Sequence, residues 1–452
     1  MTPDSTDIPP ARPLPAGQSL DRRITPLAIM WGVSTLAYSI VYPFLPLYFN
    51  KQRGVPMASV GIIMLLMGVA RMIGPIVGGA LVDALGRRTL LMAGPVVRGM
   101  VFIVLAALAA IDASVPILTA TLMLGMFVGA FFENASFAYI TDITSPERRP
   151  DAFGRIRVGL NVGWTAGPLL GGWAASSAIA PYLWNKPFAV LFALTAGLSL
   201  VTALIAYKRC PETKGRSAKG EGSAQYGLGV LRIFRLDPAF ALFMAFSFLL
   251  FLASSQLSST LSVYSVKIVG IAEQQLGMLY AINGLMIIFF QIPITRLVAR
   301  LSQGARASIG AGLYMLGYLS VALAGGWWHL AASVVVVSMG ELLTEPAIMT
   351  SVSRMSGRES VGRYMGLYGL VRGLGYSVGP WLGATLYSQF AHQPLSLWSP
   401  LAIGALAAAV GFAVMARAAG GRVHELHEEE RGPRTQDQGP REEDPNGPRR
   451  YV

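Results

Sequence analysis

The sequence predicts an all-α integral membrane protein with 12 transmembrane helices in two pseudo-symmetric six-helix bundles. Composition is the first reason: of 452 residues, 53% are hydrophobic and 13% are charged, with a mean hydropathy of +0.51. A water-soluble chain of this length is far less apolar. The second reason is a duplication, because Gly167-Pro168 returns 212 residues later as Gly379-Pro380 inside another apolar segment. Repetition at about half the chain length predicts two equivalent halves.

Each span is an apolar stretch between charged or Pro/Gly breaks. About 20 such residues suffice for a helix to cross the hydrocarbon core, where every backbone amide must be satisfied within the helix. Six spans fall in each half. They are 25–49, 57–82, 89–110, 114–141, 154–178, 187–207, 239–263, 274–299, 307–326, 329–352, 362–388 and 397–417.

The segments outside these spans set the predicted domain limits. Residues 208–238 mix Lys and Arg with Gly and Ser, which predicts a flexible cytoplasmic linker between an N-terminal bundle at 25–207 and a C-terminal bundle at 239–417. Residues 1–24 are rich in Pro, and residues 418–452 combine charge with Pro and Gly. Both ends are therefore predicted to be disordered, and neither resembles a cleaved signal peptide.

Positive charge predicts the orientation, because Lys and Arg near span ends are retained in the cytoplasm. With both termini inside, the predicted outer loops hold only Lys51, Arg53, Lys186 and Lys267, whereas the inner loops are rich in Arg. The net charge of +12 then follows from topology and not from nucleic-acid binding. Abundant Arg and scarce Cys indicate a bacterial inner membrane.

Cysteine and histidine usage argues against an enzyme. Cys210 is the single cysteine, and the four histidines are scattered at span ends and in the C-terminal tail. Neither a thiolate metal cluster nor a convergent nucleophilic set is expected from this pattern. The sequence therefore predicts no cofactor and no metal site.

The loop after the second span carries a recognisable motif. A glycine, then three residues and an aspartate, and then a second glycine with paired basic residues resemble the cytoplasmic signature of the major facilitator superfamily. The resemblance implies that the charged members form an inner latch that holds the outward-facing state. The alternative is a simple turn with positive-inside charges. The motif residues are Gly79, Asp83, Gly86, Arg87 and Arg88.

The fifth span resembles the signature of the exporter, or antiporter, branches of the same superfamily. Glycines at every fourth residue line one helical face and allow close approach of a neighbouring backbone, while a proline removes an internal hydrogen bond. We expect this helix at the interface of the two bundles, where it seals the pore. Tight packing without directional meaning is the alternative. The signature residues are Gly154, Gly163, Gly167, Pro168, Gly171 and Gly172.

Ionisable residues within apolar spans are costly and are functional candidates by default. Counting at 1.5 Å per residue puts Arg98 and Glu133 at similar depth on consecutive spans, and likewise Arg372 and Glu345, so both pairs are predicted. Proton exchange at Glu133 or Glu345 is the functional hypothesis, and a purely structural neutralised pair is the alternative. The six embedded charges are Arg71, Arg98, Arg372, Glu133, Glu341 and Glu345.

Aromatic and amide side chains within the spans are candidates for substrate contact. Aromatic and thioether surfaces adapt to varied hydrophobic molecules, and embedded glutamates counter a cationic group. The same residues would equally serve lipid contact or core packing. The candidates are Tyr38, Tyr42, Asn134, Asn161, Trp164, Gln256, Asn283 and Gln291.

Together with the resemblance, which covers residues 25–417, these features predict a secondary active transporter working by alternating access. Proton-coupled export of small amphiphilic molecules is the leading hypothesis. An importer or facilitator of a metabolite on the same fold, and a non-transporting sensor that signals through its tail, are the alternatives. The expected partners are a small-molecule substrate, protons and the lipid bilayer, with the protein acting as a monomer.

Overall fold

The computed structural model describes residues 21–145, 148–176, 179–213, 232–356 and 360–430, with side chains described up to residue 418. Twelve long helical elements run through these ranges. In chain order they are α1 Ile24–Gln52, α2 Met57–Leu85, α3 Arg87–Ala110, α4 Val115–Ile143, α5 Arg149–Ala175, α6 Pro187–Arg209, α7 Pro238–Ser258 with its continuation Thr260–Lys267, α8 Glu273–Leu297, α9 Gln303–Ala322, α10 Trp327–Met355, α11 Val361–Phe390 and α12 Pro394–Glu430.

Each of the twelve predicted spans coincides with one of these helices, so the predicted all-helical membrane fold is confirmed. Nine of the helices in the described ranges are long and apolar enough to cross a membrane. The other three are α5, α9 and α11, which are rich in Gly and carry Arg within or at the start of the helix. Residues 1–20, residues 214–231 of the predicted linker and residues 431–452 lie outside the described residues. The first part of the tail that was predicted to be disordered is helical instead, because α12 continues to Glu430.

The two halves repeat the same set of helix contacts. In the first half α1 packs on α5 and α6, α3 packs on α4 and α6, and α2 packs on α4. In the second half α7 packs on α11 and α12, α9 packs on α10 and α12, and α8 packs on α10. Adding six to each helix number converts the first set into the second, so the duplication in sequence is also a duplication in packing.

The bundles meet through two helix pairs, α2 with α11 and α5 with α8. Adding six to α2 and subtracting six from α11 turns the α2/α11 pair into the α8/α5 pair. A pseudo-two-fold axis between the bundles requires this equivalence. We call the end of the molecule with Ile24, Arg209 and Pro238 the linker end, and the opposite end the far end.

Close approach at the bundle contacts depends on glycine. A Cβ on Gly172 of α5 would lie 2.5 Å from the Glu273 carbonyl oxygen and 3.0 Å from Gly277 Cα, both on α8. A Cβ on Gly61 of α2 would lie 3.2 Å from Trp381 Cα on α11. These contacts are in the far-end half, so the backbones of the two bundles are in close contact there.

Candidate functional site

A cavity of about 430 Å³ lies between the bundles and is lined by side chains from both. It adjoins a second cavity of about 890 Å³. The two share the lining residues Leu160, Trp164, Ser258, Arg372 and Tyr376, so they form one central space. The combined size suits an organic molecule.

The far end of this space is closed. Lys51 Nζ of α1 lies 2.5 Å from Glu273 Oε1 at the start of α8, and the Phe44 and Tyr280 rings meet edge-on with centroids 6.2 Å apart. The largest hydrophobic cluster, which contains Phe44 and Tyr280, is continuous across both bundles.

The linker end is open. A Cβ added to Gly154 of α5, or to Gly362 or Gly369 of α11, would meet no atom within 4 Å. In the linker-end half of the N-terminal bundle the buried hydrophobic residues form a separate cluster, which contains no residue of the C-terminal bundle. The central space is therefore accessible from the linker end in this conformation.

The first embedded carboxylate pairs with a different arginine from the one predicted. Arg71 Nη2 of α2 lies 2.7 Å from Glu133 Oε1 of α4, and its guanidinium stands 5.4 Å from the centre of the Tyr38 ring. The predicted Arg98–Glu133 pair is wrong. Arg98 is buried inside the N-terminal bundle, where Nη1 donates to Ser34 Oγ at 3.2 Å. The depth of a residue along its helix follows from residue counting, but the face of the helix on which its side chain lies does not.

The other two embedded carboxylates lie one turn apart on α10. Arg372 Nη2 of α11 lies 3.4 Å from Glu345 Oε1, which agrees with the predicted pair. Glu341 Oε2 accepts a hydrogen bond of 2.9 Å from Asn283 Nδ2 of α8, and the same nitrogen donates to Ser338 Oγ at 2.9 Å. Glu341, Glu345 and Arg372 all line the central space.

Most of the residues predicted to contact substrate do line this space. Tyr38 and Tyr42 stack with ring centroids 4.7 Å apart, and Trp164 meets Tyr38 edge-on at 5.6 Å. Asn161, Trp164, Asn283 and Gln291 line the first cavity, and Tyr38, Tyr42 and Trp164 line the second.

Two of the predicted contact residues have other roles. Gln256 is fully buried in the helical break of α7, where Nε2 donates 2.8 Å hydrogen bonds to the carbonyl oxygens of Leu252 and Gly379. Asn134 Nδ2 donates at 2.5 Å to the carbonyl oxygen of Pro75 in α2. Both amides therefore donate to backbone carbonyl oxygens of packed helices.

The residues of the predicted latch are not joined in this conformation. Asp83 is exposed, Arg87 Nε lies 3.1 Å from Asp142 Oδ2 of α4, and Arg88 Nη2 donates to the Tyr207 carbonyl oxygen at 3.4 Å. Gly86 has φ of +88°, which only glycine adopts readily, and it separates α2 from α3. The motif therefore forms a sharp turn whose charges stay within the N-terminal bundle, and the latch stays a prediction for the state in which the linker end is closed.

α5 lies at the interface of the two bundles, as predicted, but its glycine ladder does not face the other bundle. A Cβ on Gly163 would lie 2.6 Å from the Gly32 carbonyl oxygen of α1, and Gly167 and Gly171 also face α1. The ladder is thus packed inside the N-terminal bundle. The bundle interface is formed instead by the neighbouring face, where the carbonyl of Pro168 and Gly172 meet Gly277 of α8.

Several residues that line the first cavity were not predicted from the sequence. Trp31, Phe137, Phe153, Tyr280, Tyr376 and Arg157 line the first cavity. Arg157 was interpreted only as a positive-inside charge, because a single sequence does not reveal which face of a helix borders the pore. Among the described residues, no group of three or more His, Cys, Asp or Glu is placed to hold a metal ion.

Comparison with known proteins gives consistent matches over almost the whole chain. The family model of the Major Facilitator Superfamily matches residues 27–380 and 309–443. The uncharacterized MFS-type transporter YttB of Bacillus subtilis (strain 168) is 25% identical over 84% of this chain and 91% of its own length. Multidrug resistance protein 1 of the same organism is 25% identical over 80% of this chain and 89% of its own.

Solved structures share the fold at low sequence identity. The nucleoside transporter NupG superposes with a TM-score of 0.70 at 14% identity, covering 87% of this chain and 99% of that chain.

Proposed function

Since the chain belongs to the Major Facilitator Superfamily, and is therefore a multi-pass membrane transporter and not an enzyme, we propose that it exports small amphiphilic molecules in exchange for protons. The observation that carries this proposal is the central space between two pseudo-symmetric bundles, whose lining includes aromatic walls, the carboxylates of Glu341 and Glu345, and Arg71, the ion-pair partner of Glu133. Alternating access follows from the packing, because rocking about the α2/α11 and α5/α8 contacts opens one end as it closes the other.

The two arginine-carboxylate pairs support proton coupling. Glu133 and Glu345 are 212 positions apart and occupy equivalent helices, and their side chains retain 29% and 21% exposure. Desolvation disfavours the charged form of a carboxylate, whereas a contacting guanidinium favours it, so contact with arginine and protonation compete at such a site. Protonation would weaken its pair with arginine, so each carboxylate links proton binding to the arrangement of two helices.

The amphiphilic substrate is supported by the aromatic walls. The stacked Tyr38 and Tyr42 and the edge-on Trp164 present flat apolar surfaces beside the charged pairs. Several relatives are named multidrug resistance proteins, which agrees with such a substrate.

The orientation is part of the proposal. The Arg-rich loops lie at the linker end, so by the positive-inside rule this end and both termini face the cytoplasm of a bacterial cell. The conformation described is then the inward-open one. We take the monomer as the functional unit, because one chain encloses the whole central space.

The test is uptake of cationic and neutral dyes into inverted membrane vesicles, with and without an imposed pH gradient. Gradient-driven uptake by the unaltered protein, lost in Glu133→Gln or Glu345→Gln but kept in the matched control Asp151→Asn at an exposed position, would support proton-coupled export. Gradient-driven uptake that survives in both glutamine variants would refute the assignment of the proton to these carboxylates.

The two alternatives make different predictions. Uptake only into right-side-out vesicles would favour import of a metabolite. A sensor would show no uptake in either orientation and would lose its signal when the tail is truncated.

A further inference from the structure

The three embedded glutamates differ in their partners. Glu133 lies 2.7 Å from Arg71 and Glu345 lies 3.4 Å from Arg372, so each is neutralised by a contacting cation. Within the described part of the chain, Glu341 accepts only the amide hydrogen bond from Asn283. A carboxyl group at membrane depth without a contacting cation is costly to ionise, and an ionisable residue in such a place is a functional candidate.

The Asn283 amide fixes the orientation of Glu341. Its nitrogen donates to Glu341 Oε2 and to Ser338 Oγ, both at 2.9 Å, which uses both of its hydrogens. Glu341 Oε1 has no hydrogen-bond partner among the described residues, but this oxygen is not a fully buried atom. This oxygen therefore remains accessible from the cavity that Glu341 lines.

The opposite wall of the same cavity carries the guanidinium of Arg157. Arg157 lies in the linker-end half of α5, in the other bundle, and it is exposed. It forms no ion pair or hydrogen bond with any residue that the structure describes, although its charge attracts Glu341 through space. Rocking that closes the linker end brings the linker halves of α5 and α10 together, and hence Arg157 towards Glu341.

From this asymmetry we propose that Glu341 selects positively charged substrates and that Arg157 competes with the substrate for its carboxylate. This deepens the proposed function and rests on it. The ligand class is a monovalent organic cation with aromatic surface, because one unneutralised carboxylate stands among the rings of Trp164, Tyr280 and Tyr376. When the cavity is empty, Arg157 takes the place of the cation as the linker end closes.

The experiment measures equilibrium binding to the full chain in lipid nanodiscs, without any gradient. The probes are methyltriphenylphosphonium and its neutral counterpart triphenylphosphine oxide, which share three phenyl rings. Three variants are compared: Glu341→Gln, Arg157→Gln and the matched control Arg155→Gln, whose side chain is also exposed on α5 but does not line the cavity. Thermal unfolding of each variant checks that it is folded.

We expect Glu341→Gln to weaken phosphonium binding roughly tenfold or more and to leave phosphine oxide binding within about twofold, because only the attraction between carboxylate and cation is lost. Arg157→Gln should tighten phosphonium binding several-fold without affecting phosphine oxide, and Arg155→Gln should change neither.

The proposal is overturned if the unaltered protein does not bind phosphonium, if Glu341→Gln weakens both probes equally, or if Arg157→Gln leaves phosphonium binding unchanged or weaker. Arg157 is exposed, so its substitution remains informative even if Glu341→Gln is unstable. Because binding is measured without transport, failure of export with Glu341-dependent binding intact would remove only the proposed function. Export with Glu341-independent binding would remove only this inference.

Discussion

Lys51 at the far end of α1 and Glu273 at the start of α8 form an ion pair between the two bundles, with Nζ 2.5 Å from Oε1. Glu273 is only 8% exposed, whereas the Lys51 side chain is 45% exposed. Lys267 Nζ adds a second polar link between the bundles, donating to Asn50 Oδ1 at 2.8 Å. No corresponding contact holds the linker end in the described residues, so electrostatic closure is confined to one end in this conformation.

Removing this pair is expected to favour opening of the far end. Lys51→Gln deletes the cation that pairs with Glu273, at a cost of about 1 kcal/mol for a pair that is partly exposed, or roughly a fivefold population shift. Spin labels on cysteines introduced at Ile111 and Trp328, in a Cys210→Ala background, measure the distance between the bundles at the far end. These two positions lie in different bundles and are 75% and 81% exposed. An unchanged distance distribution relative to the linker-end control Lys208→Gln would contradict this role.

Enlarging Gly172 is expected to prevent the far end from closing. A valine there would drive its side chain into the α8 backbone at Glu273 and Gly277, and overpacking of this kind costs about 1–3 kcal/mol. Transport in vesicles should fall while the protein remains folded and membrane-inserted. The matched control is Gly197→Val on α6, where an added Cβ meets no atom within 4 Å. Equal loss in both variants would mean that helix propensity, and not the bundle contact, is responsible.

Replacing Arg98 by methionine is expected to leave the thermal stability unchanged or higher. Arg98 is buried, and its one hydrogen bond within the described chain goes to Ser34. A buried cation without a carboxylate contact gains little, and an apolar residue of similar volume is often neutral or stabilising. Thermal unfolding in detergent measures the difference. Destabilisation by more than about 1 kcal/mol would indicate that the charge of Arg98 is needed in the folded bundle.

Cys210, just after α6, is expected to be a poor nucleophile at neutral pH. Burial raises the pKa of its thiol to about 11, and its sulfur lies 3.9 Å from Met30 Sδ. The folded state therefore holds this proton more tightly than the unfolded state, so the thiol destabilises the fold as pH rises from about 9 towards 11. Iodoacetamide labelling at pH 7.5 should be slow and should accelerate on unfolding. Fast labelling of the folded protein would show that the site is open.

Much of the fold was predictable because the signals are local. Apolar stretches of membrane-spanning length located all twelve helices, and the offset of 212 residues identified the two halves. The Arg372–Glu345 pair was also predictable, since α10 and α11 are consecutive and both residues lie at similar depth.

Only the tertiary structure decided how the helices are rotated about their axes. Because of that rotation, Glu133 pairs with Arg71 and not with Arg98, and the α5 glycine ladder faces α1. It also places Gln256 in the packed break of α7 and Arg157 at the cavity wall. It also fixes which end is open. Sequence by itself determined the spans, their order and their duplication, because bilayer thickness and backbone hydrogen bonding act on each helix separately. The pairing of side chains depends on neighbours hundreds of residues away, so it is decided only when the helices pack together.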